Sequence, residues 1–187
     1  MTECLGVFDS GFGGLTVLKE LLKENTYKRI IYFGDTGRVP YGTRSRETIV
    51  RYARQDMRFL LSKGAQEVVI ACNTVSANAM EELQQEFDLP IHGMIEASAP
   101  AAARATKNGT IGVIGTAATV RNGAYERALK AIDPSLRVVS VACPLFVPLV
   151  EYGFTEPGNA ITAAACAHYL QPLKEAGVDT VILGCTH

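Results

Sequence analysis

Two cysteines stand in matching positions of the sequence and are the residues best suited to carry chemistry. Cys72 follows Gly64 and Cys185 follows Gly177 at the same spacing, and the residues between are mainly aliphatic and β-branched. Such apolar runs, bounded by glycine, predict buried parallel strands that end just before each cysteine. Ligands of open α/β sheets bind at this carboxyl edge. Two equivalently placed thiols could therefore act as base and acid on the two faces of one atom.

A purely structural role for the cysteines is the alternative, because free cysteine is among the most buried residue types. Their repeated position favours a functional pair, and a helix that begins after Cys72 would favour its thiolate form. The sequence has five cysteines. An odd number without a secretory signal favours reduced thiols in a cytoplasm over a disulfide framework. Metal-ligand spacing is absent from the sequence, so we expect no metal site.

Asp9 and Ser10 follow the first predicted strand and should reach the same edge of the sheet as Cys72. The Asp9 carboxylate could bind a ligand ammonium group or help to move protons. Ser10 could donate a hydrogen bond to a ligand carboxylate. The simpler interpretation is that Asp9 only caps the following helix.

Neutral hydrogen-bonding side chains accompany the two cysteines and would suit a small zwitterion better than a phosphate. They are Asn73, Thr74, Thr116, Thr119 and Thr186. The segment Pro40, Tyr41 and Gly42 could present backbone N–H groups to an anion, although an ordinary turn is the simpler interpretation. His187, two residues after Cys185, could orient that thiol or take its proton.

Strands and helices alternate along the chain, which predicts an α/β fold built on parallel sheets. The pattern that begins at Leu5 starts again at Thr110, and the segments at Arg29 and Arg137 also match. We therefore predict two pseudo-symmetric α/β domains, residues 1–94 and 95–187, with the active site in the cleft between their carboxyl edges. No helix follows the last strand to cover its face, so we expect the second domain to be incomplete.

Composition and motifs exclude several other classes of protein. The net charge of −1 gives no electrostatic reason to expect nucleic acid or an anionic membrane as a partner. No apolar run approaches the roughly 18 residues that span a bilayer. Gly11 and Gly13 hint at dinucleotide binding, but Thr16 occupies the place of the third glycine. Lysine is absent from the predicted strand ends, so pyridoxal phosphate would have no obvious anchor.

Taken together, four ordered motifs resemble those of the glutamate racemases, within the cofactor-independent aspartate/glutamate racemase superfamily. They are Asp9-Ser-Gly-Phe-Gly-Gly14, Gly34-Asp-Thr-x-x-x-Pro-Tyr-Gly42, Ala71-Cys-Asn-Thr74 and Gly184-Cys-Thr-His187. The resemblance implies interconversion of L- and D-glutamate without cofactor or metal. It also implies that the product D-glutamate serves peptidoglycan synthesis, and with it cell wall biogenesis and cell shape, in a bacterial cytoplasm.

The resemblance implies roles for single residues as well. Cys72 would deprotonate D-glutamate with the assistance of Asp9, and Cys185 would deprotonate L-glutamate with the assistance of His187. Pro148-Leu-Val-Glu151 is similar to a family stretch whose glutamate assists the site, which adds Glu151 to the expected catalytic residues. Family members continue beyond the Gly-Cys-Thr-His motif, so the second domain is expected to be truncated relative to the family. The oligomeric state stays open, with a homodimer as one possibility.

Three alternatives to this interpretation stay open. The nearest is an aspartate racemase of the same superfamily, although the Asp-Ser-Gly and Pro-Tyr-Gly segments favour glutamate. A two-lobed amino-acid-binding protein without turnover would share the same fold. Cys72, Cys185 and His187 could instead hold a metal ion, which metal analysis would detect.

Overall fold

The computed structural model describes residues 3–24 and 26–187 of the chain. The chain forms two compact units. One contains the described residues up to Met94 together with Thr186, and the other runs from Ile95 to Cys185 and includes His187. Among the described residues, no helix combines the length and the apolar character that crossing a membrane would require.

A four-stranded parallel sheet forms the centre of the first unit. Its strands are β1 (Cys4–Asp9), β2 (Arg29–Gly34), β3 (Glu67–Ile70) and β4 (Ile91–Gly93), in the order β2-β1-β3-β4. Its helices are α1 (Leu15–Glu24), α2 (Arg46–Ser62), α3 (Asn73–Asn78) and α4 (Met80–Glu86). Strand β1 is buried along its whole length because α1 packs over Leu5 and Val7, while Leu60 of α2 lies against Gly6 on the opposite face.

A three-stranded parallel sheet forms the centre of the second unit. Its strands are β5 (Thr110–Gly115), β6 (Arg137–Ala142) and β7 (Thr180–Gly184), in the order β6-β5-β7. The helices of this region are α5 (Met94–Ala105), α6 (Ala117–Asn122), α7 (Ala124–Ile132), α8 (Phe146–Glu151) and α9 (Ala160–Glu175). The predicted α/β class, with two parallel sheets, is confirmed.

The two sheets repeat each other in pairing register as well as in strand order. The central strands β1 and β5 each carry a glycine whose strand partners occupy equivalent places in the sequence repeat. Gly6 pairs with Ile31 and Val68, and Gly112 pairs with Val139 and Val181. Because a slip of one residue would turn every side chain to the other face, this shared register places the residues after equivalent strands in equivalent positions.

The same two glycines let a helix lie close to each sheet. A Cβ atom at Gly6 would lie 3.0 Å from Leu60 Cδ1 of α2, and one at Gly112 would lie 3.1 Å from Leu173 Cδ1 of α9. Both distances are shorter than ordinary carbon–carbon contact. The absence of a side chain at these two positions therefore has the same packing purpose in both units.

Side-chain hydrogen bonds accompany two helix boundaries. The helix after Cys72 is interrupted at Ala79, where φ is −129°, and is thereby divided into α3 and α4. The Asn78 amide donates to the carbonyl of Thr74 at 2.8 Å, and such side-chain bonds to the backbone compete with regular helix. Helix α5 begins at Met94, whose N–H donates a hydrogen bond to the Ser76 hydroxyl at 3.2 Å.

Strand β7 is an outer strand of its sheet and is only half covered. Ile182 is buried, whereas Val181 and Leu183 on the other face are 43% and 70% exposed. This alternation is typical of a strand with cover on one face.

Candidate active site

The residues that follow β1 and β3 lie together at the carboxyl edge of the first sheet, because these two strands are neighbours. The Sγ atom of Cys72 lies 3.7 Å from the Oγ atom of Ser10. Asp9 is fully buried, and its Oδ2 atom accepts a hydrogen bond from the Gly11 N–H at 2.9 Å. The structure thus brings Ser10 to Cys72 and fixes the Asp9 carboxylate within its own turn.

Cys72 is the residue that precedes α3, and only 5% of it is exposed. A helix does begin after this cysteine, but it is only six residues long. Asn73 and Thr74 form its first turn and are both buried. The Ser76 hydroxyl donates to the Cys72 carbonyl at 3.0 Å, which holds the backbone of the cysteine in place.

Tyr32 belongs to this cluster, although no sequence motif singled it out. Its hydroxyl donates to the carbonyl of Gly11 at 2.6 Å. Burial raises the pKa of Tyr32, and the neighbouring Asp9 and Cys72 raise it further. Tyr32 therefore keeps its proton and lies near both groups.

The segment Pro40, Tyr41 and Gly42 turns the Tyr41 side chain inward. Tyr41 is 1% exposed, and its hydroxyl contacts the carboxylates of Asp35 and Asp56. Within residues 3–24 and 26–187, the backbone N–H groups of Tyr41 and Gly42 donate no hydrogen bond to protein. The Tyr41 side chain therefore anchors the segment in the interior, and its two backbone N–H groups can bind an anion.

The residues that follow β5 and β7 form the corresponding edge of the second sheet. Gly115 pairs with Gly184, so Thr116 and Cys185 continue from neighbouring strands at the same level. The Thr116 hydroxyl caps α6 by accepting a hydrogen bond from the Thr119 N–H at 3.2 Å, and it lies 3.0 Å from the Thr119 hydroxyl.

His187 lies in contact with Cys185 and with Glu151, the last residue of α8. Its Nε2 atom is 2.7 Å from Oε1 of Glu151. The hydrogen bond to the Cys185 side chain, supported by Glu151, raises the pKa of His187 to about 9 although burial opposes the charge. His187 is therefore an imidazolium at neutral pH and lies beside the Cys185 side chain.

Tyr125 and Cys143 also lie near Cys185, and neither was predicted to do so. Tyr125 is buried, the Ser98 hydroxyl lies 3.3 Å from its hydroxyl, and burial raises its pKa with a further contribution from Cys185. Burial also raises the pKa of Cys143 to about 11. Cys143 therefore stays a neutral thiol, unlike a cysteine that must act as a base.

The structure places the predicted site residues in two sets. The first unit holds Asp9, Ser10, Pro40, Tyr41, Gly42, Cys72, Asn73 and Thr74, and the second holds Thr116, Thr119, Glu151, Cys185 and His187. Thr186, which is partly exposed, groups with the first unit. In the part of the chain that the structure describes, no three His, Cys, Asp or Glu side chains are grouped as a metal site would require.

Known proteins with the same sequence pattern and fold identify the class of this chain. The sequence profile of the Asp/Glu/Hydantoin racemase family matches residues 16–187. A glutamate racemase from Geobacter metallireducens is 51% identical over 185 residues, which cover 99% of this chain and 68% of that protein. The crystal structure of glutamate racemase isoform RacE1 from Bacillus anthracis has a TM-score of 0.93 and 39% identity, covering 99% of this chain and 69% of that chain.

A second similar structure is that of glutamate racemase from Francisella tularensis in complex with D-glutamate. Its TM-score is 0.92 at 38% identity, and the match covers 100% of this chain and 69% of that chain. The chain therefore belongs to the Asp/Glu racemase family, whose members are isomerases. The relatives that it resembles most clearly are glutamate racemases, which confirms the family indicated by the motifs.

Proposed function

We propose that the chain interconverts L- and D-glutamate by proton transfer at Cα, with Cys72 and Cys185 as the two acid–base groups. The observation that supports this most strongly is the equivalence of the two cysteines. Cys72 follows β3 and Cys185 follows β7, and each of these strands is the neighbour of the central strand in its sheet. Glutamate is the favoured substrate because the relatives are glutamate racemases and one similar protein binds D-glutamate.

Inversion at Cα requires a base on one face of the carbon and an acid on the other. One thiolate takes the Cα proton, so that the C–H bond breaks as an S–H bond forms. The electron pair left on Cα then takes a proton from the other thiol, which gives the enantiomer and a new thiolate. The two cysteines have exchanged protonation states, so the reverse reaction uses the same two groups. No cofactor is required for this sequence of steps.

The neighbours of each cysteine supply the charges and hydrogen bonds that this reaction needs. Next to Cys72, the Asp9 carboxylate would bind the substrate ammonium group and Ser10 would donate to a substrate carboxylate. The N–H groups of Tyr41 and Gly42 would bind the same anionic part of the substrate. Further hydrogen bonds to the zwitterion would come from Asn73, Thr74, Thr116, Thr119 and Thr186.

His187 and Glu151 would act on Cys185. The imidazolium of His187 stabilises the Cys185 thiolate that removes a proton from L-glutamate, and Glu151 holds the ring in place at 2.7 Å. Fixed charges of this kind also stabilise the negative charge that develops on the substrate. Formation of that charge is the largest energetic difficulty of the reaction. The product D-glutamate would serve peptidoglycan synthesis in a bacterial cytoplasm.

The direct test is exchange of the Cα proton with solvent deuterium, starting from each glutamate enantiomer. We expect racemisation with deuterium incorporated into the product formed from either enantiomer. Cys72→Ala and Cys185→Ala should each abolish racemisation, because one acid or base is then missing. Cys166→Ala, which changes a cysteine of α9, is the matched control and should keep the activity of the parent.

Other outcomes would point to the alternatives. Faster turnover of aspartate than of glutamate would favour an aspartate racemase. Glutamate binding without turnover, unchanged in both cysteine variants, would favour a binding protein. Loss of function on treatment with a chelator, together with stoichiometric metal, would replace the two-thiol mechanism with a metal site.

A further inference from the structure

A buried polar cluster lies behind the segment Pro40 to Gly42, and its members come from two different elements. Asp35 and Arg38 lie in the connection after β2, Tyr41 follows in the same connection, and Asp56 lies on α2. These four residues are here named the Tyr41 cluster. Asp56 is 1% exposed and Asp35 is 7% exposed. Two carboxyl groups at such depth require partners that compensate for the loss of water.

One guanidinium and one hydroxyl provide those partners. The Nε atom of Arg38 lies 2.5 Å from Oδ2 of Asp35, and its Nη2 atom lies 2.8 Å from Oδ1 of Asp56. The Tyr41 hydroxyl contacts the same Oδ2 atom of Asp35 and lies 3.0 Å from Oδ2 of Asp56. Arg38 also stacks over the ring of Tyr52, with 4.4 Å between its Cζ atom and the ring centroid.

The number of protons in the cluster determines how these contacts can be satisfied. A tyrosine hydroxyl has one proton, yet that of Tyr41 contacts two carboxyl groups. If Tyr41 donates to Asp35, its contact with Asp56 is a hydrogen bond only when Asp56 carries a proton on Oδ2 and donates it. The fully bonded cluster therefore contains a protonated Asp56, an ionised Asp35 and a positive Arg38, and has no net charge.

The electrostatic surroundings agree with this assignment. Burial and the charge of Asp35 raise the pKa of Asp56 to about 7, against the opposing effects of Tyr41 and Arg38. Burial and the hydrogen bond to Asp35 also raise the pKa of Tyr41, which keeps its proton.

The remaining charged groups near α2 are directed elsewhere. Helix α3 has no ionisable side chain, β1 contributes Asp9, whose Oδ2 atom accepts from the Gly11 N–H, and β2 contributes Tyr32, whose hydroxyl donates to the Gly11 carbonyl. The carboxylates of α4 that approach α2 are paired with arginines of that helix: Glu82 with Arg46, and Glu86 with Arg54 and Arg58. Asp35, Arg38 and Tyr41 are thus the groups that control the charge of Asp56.

We propose that Asp56 is a positioning residue that shares a proton with Tyr41 and thereby fixes the backbone of Pro40 to Gly42 for binding the substrate carboxylate. The inference rests on the proposed function, because that function gives the N–H groups of Tyr41 and Gly42 their ligand. Asp56 acts only through Tyr41 and touches no substrate. The segment is held at both of its ends. Arg38 of the Tyr41 cluster precedes it, and after it the Arg44 N–H donates to the Tyr41 carbonyl at 2.9 Å.

The protonated state makes the anchor dependent on pH. Above about pH 7, Asp56 loses the proton that it donates, and the cluster then contains two negative charges and one positive charge. The bond from Asp56 to Tyr41 is lost and the two carboxylates repel each other, so the segment is held less firmly. Substrate affinity should therefore fall as the pH rises through this range, independently of the titration of the cysteines.

The test compares two isosteric variants with the parent. Tyr41→Phe keeps the ring but removes the hydroxyl, and we expect KM for glutamate to rise about five- to tenfold with little change in kcat. Asp56→Asn replaces the protonated carboxyl with an amide that can accept from Arg38 and donate to Tyr41. We expect this variant to keep a low KM and to lose the rise in KM above about pH 7. Arg58→Gln, on the exposed side of the same helix, is the matched control.

Hydrogen exchange of the segment 38–44, measured by mass spectrometry, provides a readout that does not depend on turnover. Exchange should be about tenfold faster in Tyr41→Phe than in the parent, because a buried anchor has been removed. Unchanged exchange in Tyr41→Phe, or a KM profile of Asp56→Asn that follows the parent at every pH, would overturn the inference. A parent that neither racemises nor binds glutamate would instead refute the proposed function, and the exchange result would still decide whether the cluster fixes the segment.

Discussion

The five cysteines differ in chemical character because their neighbours differ. Cys185 lies beside His187, whose pKa is raised to about 9. Cys143, in the same unit, is held as a neutral thiol with a pKa of about 11 because it is buried. Cys72 lies 3.7 Å from a serine hydroxyl at the end of the other sheet. Position after equivalent strands, combined with these neighbours, separates Cys72 and Cys185 from the other three.

The charge of His187 should control activity at alkaline pH. His187→Asn keeps a hydrogen-bonding side chain but removes the positive charge, and we expect kcat/KM to fall about 100-fold. The loss must be equal for L- and D-glutamate, because enantiomers have the same free energy. In the parent, activity should decline as the pH rises through about 9, where His187 loses its proton.

Circular dichroism of the reaction mixture measures this prediction for both enantiomers. The decline around pH 9 should be absent from the His187→Asn variant, since the titrating group is missing. His168→Asn, at an exposed histidine of α9, is the matched control. A His187→Asn variant with the activity and pH dependence of the parent would remove His187 from the proposed mechanism.

At this scale the sequence singles out residues that stand in motifs and passes over those whose place depends on packing. Cys72, Ser10 and His187 are predicted as site residues because they follow strands or adjoin a repeated segment. Asp56 and Tyr32 carry no such signal, because their contacts with Tyr41 and Gly11 join residues that are distant in sequence. A local sequence pattern cannot predict which side chain of a helix faces a particular loop.

At the scale of elements, the closest packing occurs where a helix crosses a central strand at glycine. Gly6 and Gly112 occupy equivalent positions, and α2 and α9 supply the leucines that lie over them. The sequence repeat predicted that the two positions match. It could not predict this reason for glycine, because the reason lies in a helix more than fifty residues away along the chain.

The packing at Gly112 can be tested by adding a single methyl group. In Gly112→Ala the new Cβ would lie 3.1 Å from both Leu173 Cδ1 and Val178 Cγ1, so these side chains must move. We expect the free energy of unfolding to fall by about 1–3 kcal/mol, which is the usual cost of overpacking a core. Urea denaturation followed by circular dichroism measures the change.

Gly37→Ala is the control for this substitution, because a Cβ at Gly37 would meet nothing within 4 Å. Its effect should stay within about 0.5 kcal/mol, the usual range for substitutions in open surroundings. Equal stabilities of the Gly112→Ala variant and the parent would show that the helix can shift away from the strand at no cost.

At the scale of the whole molecule, stability should depend on pH through a few carboxyl and imidazole groups. Asp179 accepts hydrogen bonds from the Thr106 hydroxyl at 2.7 Å and from the N–H groups of Lys107 and Asn108 at 2.7 and 2.8 Å. These bonds join the end of α5 to the start of β7. The Thr106 bond, with the two backbone bonds, lowers the pKa of Asp179 to about 2.

The stabilisation from Asp179 should disappear in acid. Because its pKa is lowered on folding, the contribution is complete above the unfolded value of about 3.9 and is lost as the pH falls towards 2. Asp179→Asn should therefore reduce the midpoint of thermal unfolding at pH 6 and flatten its fall between pH 4 and about 2. Calorimetry over this range measures the effect, and parallel curves for the two proteins would contradict it.

The groups with raised pKa values act in the opposite direction. Asp56, raised to about 7, stabilises the fold most below its unfolded pKa, and that contribution is lost as the pH rises through 7. His187, raised to about 9, contributes fully below about pH 6.5 and loses its contribution as the pH rises through 9. The fold should consequently be least tolerant of strongly acidic and alkaline solution.

The general architecture was the part of the molecule most accessible from sequence. Apolar runs separated by helical periodicity predicted two parallel sheets, and the matching strand order confirmed them. The finer boundaries were less accessible, because the interruption at Ala79 and the start of α5 involve hydrogen bonds made by Asn78 and Ser76. The bond between Ser76 and Met94 forms only once the strands have brought these two segments together.

Strand β7 leaves one edge of the second sheet without a strand neighbour in the described chain. An edge of this kind carries N–H and C=O groups that can template the addition of another strand. Val181 and Leu183 add two aliphatic side chains to the same surface. In concentrated solution this combination favours intermolecular β-pairing at β7.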